Sequence, residues 1–322
     1  MIVETVDYHT AGEPFRIVTG GVEPLAGSTI LDKRRDALAR FDEVRKLLVF
    51  EPRGHTDMYG CFVCEPNDPG AELGVVFFHN AGYSTACGHG TIALVTWALD
   101  EGVIPRADGE QRIVVDVPSG RLETLARIEA GVVRSVRFRN VPAYVWGTGL
   151  SAGGHEVDVS FGGAFYASCE ETVAPQELPR LIELGRRIKR DLEAAHDVVH
   201  PLEPELRGVY GVIFWQDEDG GPPLTQRNVT VFADGEVDRS PCGSGTSARL
   251  ALLDAAGTLP RGAELRHLSI LGTEFSAVVS GGATVAGIPA VVTDVEGSAY
   301  RTGRHVFELD AQDPLGTGFL LR

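Results

Sequence analysis

Apolar residues along this chain fall mostly into runs of about four to eight, bounded by Gly, Pro or Asn, which is the length and punctuation of β-strands. Such runs are 15–21 FRIVTGG, 46–52 KLLVFEP, 58–66 MYGCFVCEP, 73–80 LGVVFFHN, 112–120 RIVVDVPSG, 133–141 VRSVRFRNV, 156–167 EVDVSFGGAFYA, 228–235 NVTVFADG and 277–282 AVVSGG. Two runs differ: 91–102 TIALVTWALDEG and 246–257 TSARLALLDAAG have helical length and close on a glycine. A further segment, Leu178 to about Val198, spaces Leu178, Leu181, Ile182, Leu184, Ile188 and Leu192 as one face of a helix, with Arg186, Arg187 and Lys189 outside. The pattern predicts a strand-rich α+β protein. The longest uncharged stretch, 275–293, contains Gly281, Gly282, Gly287 and Pro289 and reads as two strands around a turn, not as a membrane span.

Self-similarity organises these elements. Ala86-Cys-Gly-His-Gly-Thr-Ile-Ala93 and Pro241-Cys-Gly-Ser-Gly-Thr-Ser-Ala248 share the pattern C-G-x-G-T-x-A, and Cys87 and Cys242 stand 155 positions apart. The match runs without a gap through the two helical segments to Gly102 and Gly257. Half of the 322 residues is 161, so the offset points to two similar domains, each presenting one cysteine before a helix.

Composition narrows the function. With 43% hydrophobic and 23% charged residues the chain is an ordinary globular protein. Its 45 acidic against 29 basic residues give a net charge of -16, which argues against nucleic acid or an anionic membrane as partner. Only Lys33, Lys46 and Lys189 are lysines, all in charged runs that read as solvated helix faces, so a Schiff-base enzyme is not expected. The start, MIVETVDYHT, lacks the basic and apolar regions of a signal peptide, and the expectation is a cytoplasmic protein with reduced cysteines.

A cysteine at the mouth of a helix, followed by Gly-x-Gly-Thr, sits where backbone N–H groups and the dipole favour negative charge. The thiolate is favoured there, and the remaining amides can hold a carboxylate. If the two domains face one another, Cys87 and Cys242 approach one bound anion from opposite sides. That arrangement suits removal of a proton α to a carboxylate and its return from the other face, with one sulfur as thiolate and the other as thiol.

The segments DYHTAGEPFRIVTGG, FEPRGHTDMYG, NAGYSTACGHG, DRSPCGSGTSA and DPLGTGFLLR together resemble the proline racemase family, which includes hydroxyproline 2-epimerases and trans-3-hydroxy-L-proline dehydratases. The resemblance implies a diaminopimelate-epimerase-like fold of two pseudo-twofold-related domains with the active site between them, no cofactor and a homodimer. In that frame the first repeat covers 1–128 with a C-terminal return of 296–322, and the second covers 129–295. Carried over by motif, Cys87 and Cys242 match the two catalytic bases, and Gly88, His89, Gly243 and Ser244 match the turns that bind the substrate carboxylate. Asp238 matches the residue that meets the ring nitrogen, and Tyr59 and Phe232 fall where aromatic residues wall the pocket.

Departures from the family pattern bear on the reaction. Ala86 replaces a usual methionine and Ser244 a common threonine. HTDMYG, GYSTACGHG and FGGAFYA are closer to the dehydratase branch, whose second cysteine position is usually threonine; here it is Cys242. The expected reaction is therefore two-base inversion at the α-carbon of proline or hydroxyproline, such as trans-4-hydroxy-L-proline to cis-4-hydroxy-D-proline. The alternative is dehydration of trans-3-hydroxy-L-proline with Cys87 as single base.

Other features read more plainly. Cys61 and Cys64 lie three apart in a strand, on opposite faces, and Cys169 follows an apolar run; all three read as core. His9, His55 and His79 have no metal-ligand spacing and read as hydrogen-bonding residues. The G-x-G-x-x-A at 243–248 does not follow a strand directly, which weakens a dinucleotide reading. A cysteine hydrolase would leave Cys242 without a task. A binding protein clamping an anion would need neither thiol.

Overall fold

The computed structural model of the chain describes residues 1–218 and 221–321. Arg322, the end of the terminal motif, lies outside the described residues, as do Asp219 and Gly220. The chain divides into two compact units, Met1–Val136 with Ser298–Arg322, and Arg137–Gly297. Against the sequence-based limits at 128 and 296, the first unit keeps all of strand Gly120–Glu129 and the opening of the strand after it.

In order, the first unit holds β1 (Ile2–Thr10), β2 (Glu13–Gly20), α1 (Ile30–Arg40), α2 (Asp42–Val49), β3 (Tyr59–Cys64), β4 (Leu73–His79), α3 (Gly88–Asp100), β5 (Gly109–Val117) and β6 (Gly120–Glu129). Strand β7 (Val132–Arg139) crosses the boundary. The second unit holds β8 (Ala143–Ala152), β9 (His155–Phe161), β10 (Phe165–Glu170), α4 (Leu178–Ala195), β11 (Val209–Asp217), β12 (Leu224–Phe232), β13 (Glu236–Asp238), α5 (Gly243–Ala255), β14 (Glu264–Leu268), β15 (Glu274–Val285) and β16 (Ile288–Gly297). Strand β17 (Ala299–Glu308) belongs to the first unit.

The two units repeat one topology. In the first, β1 pairs antiparallel with β2, β2 parallel with β3, β3 antiparallel with β4, β4 parallel with β5, and β5 antiparallel with β6, while β17 flanks β1. In the second, β9, β10, β11, β12, β14 and β15 repeat that alternation step for step, with β8 flanking β9 as β17 flanks β1. Pairing of β16 with both β15 and β8 closes the second set into a ring of eight strands. Helix α5 packs on β8, β9, β10, β15 and β16 and is buried on every face from Gly243 to Leu253. Helix α3 is buried from Gly88 to Leu99 in the same way. An apolar run without a polar stripe makes a helix that can only lie at the centre of a core.

Both cysteine helices have 13 residues, and their limits differ by the same offset as the cysteines themselves. The 275–293 stretch is the β15–β16 hairpin, turning at Ala286 and Gly287. No described helix is long and apolar enough to cross a membrane.

Three readings are corrected. The run KLLVFEP is not a strand: Asp42–Val49 is helix α2, which buries Val44, Leu47 and Leu48 on one face. Asp42 bridges Arg45 at 2.7 Å and Lys46 at 2.9 Å, helical contacts that the short run read alone does not reveal. The helix predicted to reach Val198 ends at Ala195, and Val198 is buried beyond it, where its carbonyl accepts the Gly208 N–H. Lys33 is buried, its Nζ donating to the Glu65 carbonyl at 2.8 Å, so it is not a solvated helix-face lysine.

Candidate active site

Each cysteine turn assembles its own set of partners inside its own unit. In the first, Cys87 is the N-cap of α3, with extended backbone at φ -155°, and its Sγ accepts the Gly90 N–H at 3.3 Å. The His89 ring lies against this sulfur, with nitrogens 3.5 and 3.6 Å away. Two rings hold the imidazole edge-on, Tyr59 at 5.0 Å and Phe15 at 5.7 Å between centroids. Tyr59 Oη donates to Ser84 Oγ at 2.5 Å, and Ser84 donates to the Ala86 carbonyl, so the aromatic wall is tied to the turn itself. Gly90 is required by space: a Cβ there would stand 2.4 Å from the Phe15 ring and 2.6 Å from Cys87 Sγ. Thr91 closes the turn on the Cys87 carbonyl through its N–H at 3.0 Å and its hydroxyl at 2.9 Å.

In the second unit Cys242 precedes α5 with φ +61°, a left-handed conformation that a residue with a Cβ seldom adopts. Its N–H donates to Ser240 Oγ at 3.1 Å, and Asp238 Oδ1 accepts the Ser240 N–H at 2.8 Å, a folded-back loop that supports the unusual backbone. Tyr166 Oη and Ser244 Oγ, bonded to each other at 2.7 Å, stand 3.9 and 4.0 Å from Cys242 Sγ. Burial pushes the Cys242 thiol up to about 12, and the Asp238 carboxylate adds to the rise; the Gly245 N–H and the hydroxyls of Thr230 and Tyr166 pull the other way. This corrects the expectation that the helix end favours the thiolate. At Cys242 desolvation outweighs the hydrogen bonds that favour the thiolate, so the turn favours the thiol form. Burial likewise holds the Tyr166 phenol well above its ordinary range, so it is neutral.

The residues singled out from sequence divide as follows. Cys87, Gly88, His89 and Tyr59 converge in the first unit. Cys242, Gly243, Ser244 and Asp238 converge in the second. Phe232 stacks on Tyr210 at 5.5 Å, and Tyr210 meets Tyr166 edge-on at 5.8 Å, so Phe232 is linked to this turn through two other rings. Sequence reasoning missed Tyr166, Thr230 and Phe15 as turn partners. The signal for Tyr166 was in the FGGAFYA segment, noted there only as a family variation. Cys61 and Cys169 are buried, Cys64 is half-buried, and all three are free thiols. Burial raises all of them, Cys64 to about 12 and Cys169 to about 11.

Comparison with known proteins adds the family. The sequence model described as Proline racemase matches residues 5–320. The chain is 42% identical over 329 residues to a trans-3-hydroxy-L-proline dehydratase of Bacillus thuringiensis, covering 99% of this chain and 98% of that protein. It is 43% identical over 332 residues to a 3-hydroxyproline 2-epimerase of Burkholderia multivorans, with the same coverage. A crystal structure of a hydroxyproline epimerase from Agrobacterium vitis, with bound trans-4-hydroxy-L-proline, superposes with a TM-score of 0.91 at 31% identity, covering 99% of this chain and 96% of that one.

Proposed function

The chain belongs to the proline racemase family of enzymes and has its diaminopimelate-epimerase-like α+β fold, and we propose that its substrate is trans-3-hydroxy-L-proline and its reaction dehydration. The observation that carries this reading is that several relatives similar along their whole length are named trans-3-hydroxy-L-proline dehydratase, while another is named 3-hydroxyproline 2-epimerase. The expectation of two-base inversion on proline or hydroxyproline gives way to its alternative on this ground.

In trans-3-hydroxyproline the carboxylate and the 3-hydroxyl lie on opposite faces of the ring, so the α-hydrogen and the hydroxyl share a face. In the proposed mechanism Cys87, with His89 against its sulfur, is the thiolate on that face. It takes the α-proton, the C–H electron pair becomes the C2–C3 double bond, and the C3–O bond breaks. The newly protonated Cys87 hands its proton to the departing oxygen, releasing water and restoring the thiolate. The resulting enamine tautomerises to the cyclic imine. Backbone N–H groups of Gly88, His89, Gly243 and Ser244 would hold the carboxylate, Asp238 the ring nitrogen, and Tyr59 and Phe232 would enclose the ring.

A specific observation favours a second reading. A second sulfur stands at the head of the other central helix, burial pushes its thiol up, and a thiol delivering hydrogen to the opposite face would give inversion at C2 in place of elimination. Proton NMR of the protein with trans-3-hydroxy-L-proline in D2O separates the two: cyclic imine for dehydration, α-deuterated cis-3-hydroxy-D-proline for inversion. L-proline and trans-4-hydroxy-L-proline serve as comparison substrates. If the 3-hydroxy compound keeps its α-hydrogen, the proposal fails. The accompanying expectation of a homodimer is checked by light scattering.

A further inference from the structure

Away from the cysteine turns, the described residues contain a group of three metal-ligating side chains, His155, Cys169 and Glu171, whose donor atoms all lie within 4.8 Å of one another. Strand geometry brings them together. β9 and β10 run antiparallel with Ser168 opposite Asp158, and continuing that register sets Glu171 level with His155. Cys169 and Glu171 are two positions apart and so share a face of the strand. His155 Nδ1 stands 3.2 Å from Glu171 Oε1, and the other carboxylate oxygen is held at 2.9 Å by Arg180. The guanidinium thus orients the carboxylate and leaves one oxygen turned toward the imidazole.

The donor set has a definite chemistry. Thiolate sulfur, imidazole nitrogen and a single carboxylate oxygen are the ligands of zinc-like cations, whereas magnesium and calcium require oxygen alone. Access exists, because the His155 side chain is 34% exposed and that of Glu171 16%, while Cys169 lies buried beneath. Local charge is favourable to a cation: the carboxylate of Glu171, and more weakly that of Glu170, acts on the sulfur electrostatically, against one guanidinium from Arg180.

We propose that His155, Cys169 and Glu171 bind a divalent transition-metal ion of the zinc class, with solvent in the fourth position, cross-linking the start of β9 to the chain leaving β10. On binding, the Cys169 thiol loses its proton to solvent and the sulfur–metal bond replaces the S–H bond, so no oxidant or reductant is involved. The site is independent of the chemistry at Cys87 and Cys242. Binding should raise the melting temperature by mass action as the ion concentration passes the dissociation constant.

The test uses the full chain, stripped with a chelator and titrated with Co2+. The expected result is one equivalent giving a thiolate-to-cobalt charge-transfer band, displaced by Zn2+ and unaffected by Mg2+. Cys169→Ser should abolish the band and weaken Zn2+ binding at least about tenfold, the smallest loss typical even for outer-sphere partners. His155→Ala, at a partly exposed position, should do the same and covers the case in which the serine variant does not fold. The double variant Cys87→Ser/Cys242→Ser should keep the band. No band at saturating Co2+, or a band that survives Cys169→Ser, overturns the proposal.

Discussion

The two cysteine turns share a backbone plan and differ in nearly every side chain that touches the sulfur. Both begin a 13-residue buried helix, and both have the following threonine closing on the cysteine carbonyl. At one common position the first turn has His89 and the second Ser244. An imidazole takes or releases a proton near neutral pH, whereas the serine and tyrosine hydroxyls beside Cys242 do not. Cys87 has extended backbone at φ -155°, while Cys242 has a left-handed φ of +61°. The duplicated scaffold therefore sets each sulfur at the head of a buried helix, and the side chains give the two different partners: an imidazole at Cys87, the hydroxyls of Tyr166 and Ser244 at Cys242.

The largest expected effect comes from removing each sulfur in turn. Cys87→Ser should lower turnover of trans-3-hydroxy-L-proline by about 10³-fold or more, because the serine hydroxyl cannot act as the base near neutral pH. Cys242→Ser should leave imine formation within about tenfold of the unmodified protein. Product analysis by NMR reads both, and an equal collapse of the two variants would mean that both sulfurs take part, as inversion requires.

Alkylation kinetics sharpen the same contrast. With its thiol raised to about 12, Cys242 should react with iodoacetamide about tenfold faster for each unit of pH between 8 and 11, since only the thiolate attacks. Cys87, beside the imidazole, should label well before it at pH 8. Peptide mass spectrometry follows both sites, and equal rates would erase the proposed difference in resting state.

His89→Ser makes the first turn resemble the second. The expected loss is about 10–100-fold in kcat, with the acid limb of the pH–rate profile displaced upward as the sulfur loses its imidazole partner. A loss confined to KM would instead assign His89 to carboxylate binding alone.

Smallest in effect is a packing test. Gly90→Ala must displace the Phe15 ring or Cys87 sulfur from 2.4 and 2.6 Å, an overpacking cost of about 1–3 kcal/mol. Gly245→Ala meets its nearest neighbours, Cys242 Sγ and Ile213, at 3.0 and 3.2 Å, and should cost less, about 1 kcal/mol. Denaturant midpoints measure the difference, and the reverse order would contradict the tighter packing of the first turn.

How much of this was legible beforehand follows from where the information lies along the chain. The repeat, the two buried helices, the β15–β16 hairpin and α4 are local patterns: runs of apolar residues, helical spacing and a closing glycine state them within a dozen residues. The candidate residues from Cys87 to His89 and from Asp238 to Ser244 were legible for the same reason. The run at 46–52 misled because four apolar residues fit either period, and the Asp42 contacts with Arg45 and Lys46 that settle it begin outside the run.

By itself, then, the sequence determined the duplication, the family motifs and the presence of a cysteine at the head of each central helix, since each depends on neighbours in the chain. Tertiary structure decided what each sulfur touches and what protonation state it keeps. Tyr166 reaches Cys242 from 76 positions away, on β10. Phe15 reaches His89 from β2, and the burial that raises the Cys242 thiol is a property of the closed second unit. The physical reason is that desolvation and long-range hydrogen bonds are properties of the packed molecule, to which residues distant in sequence contribute as much as adjacent ones.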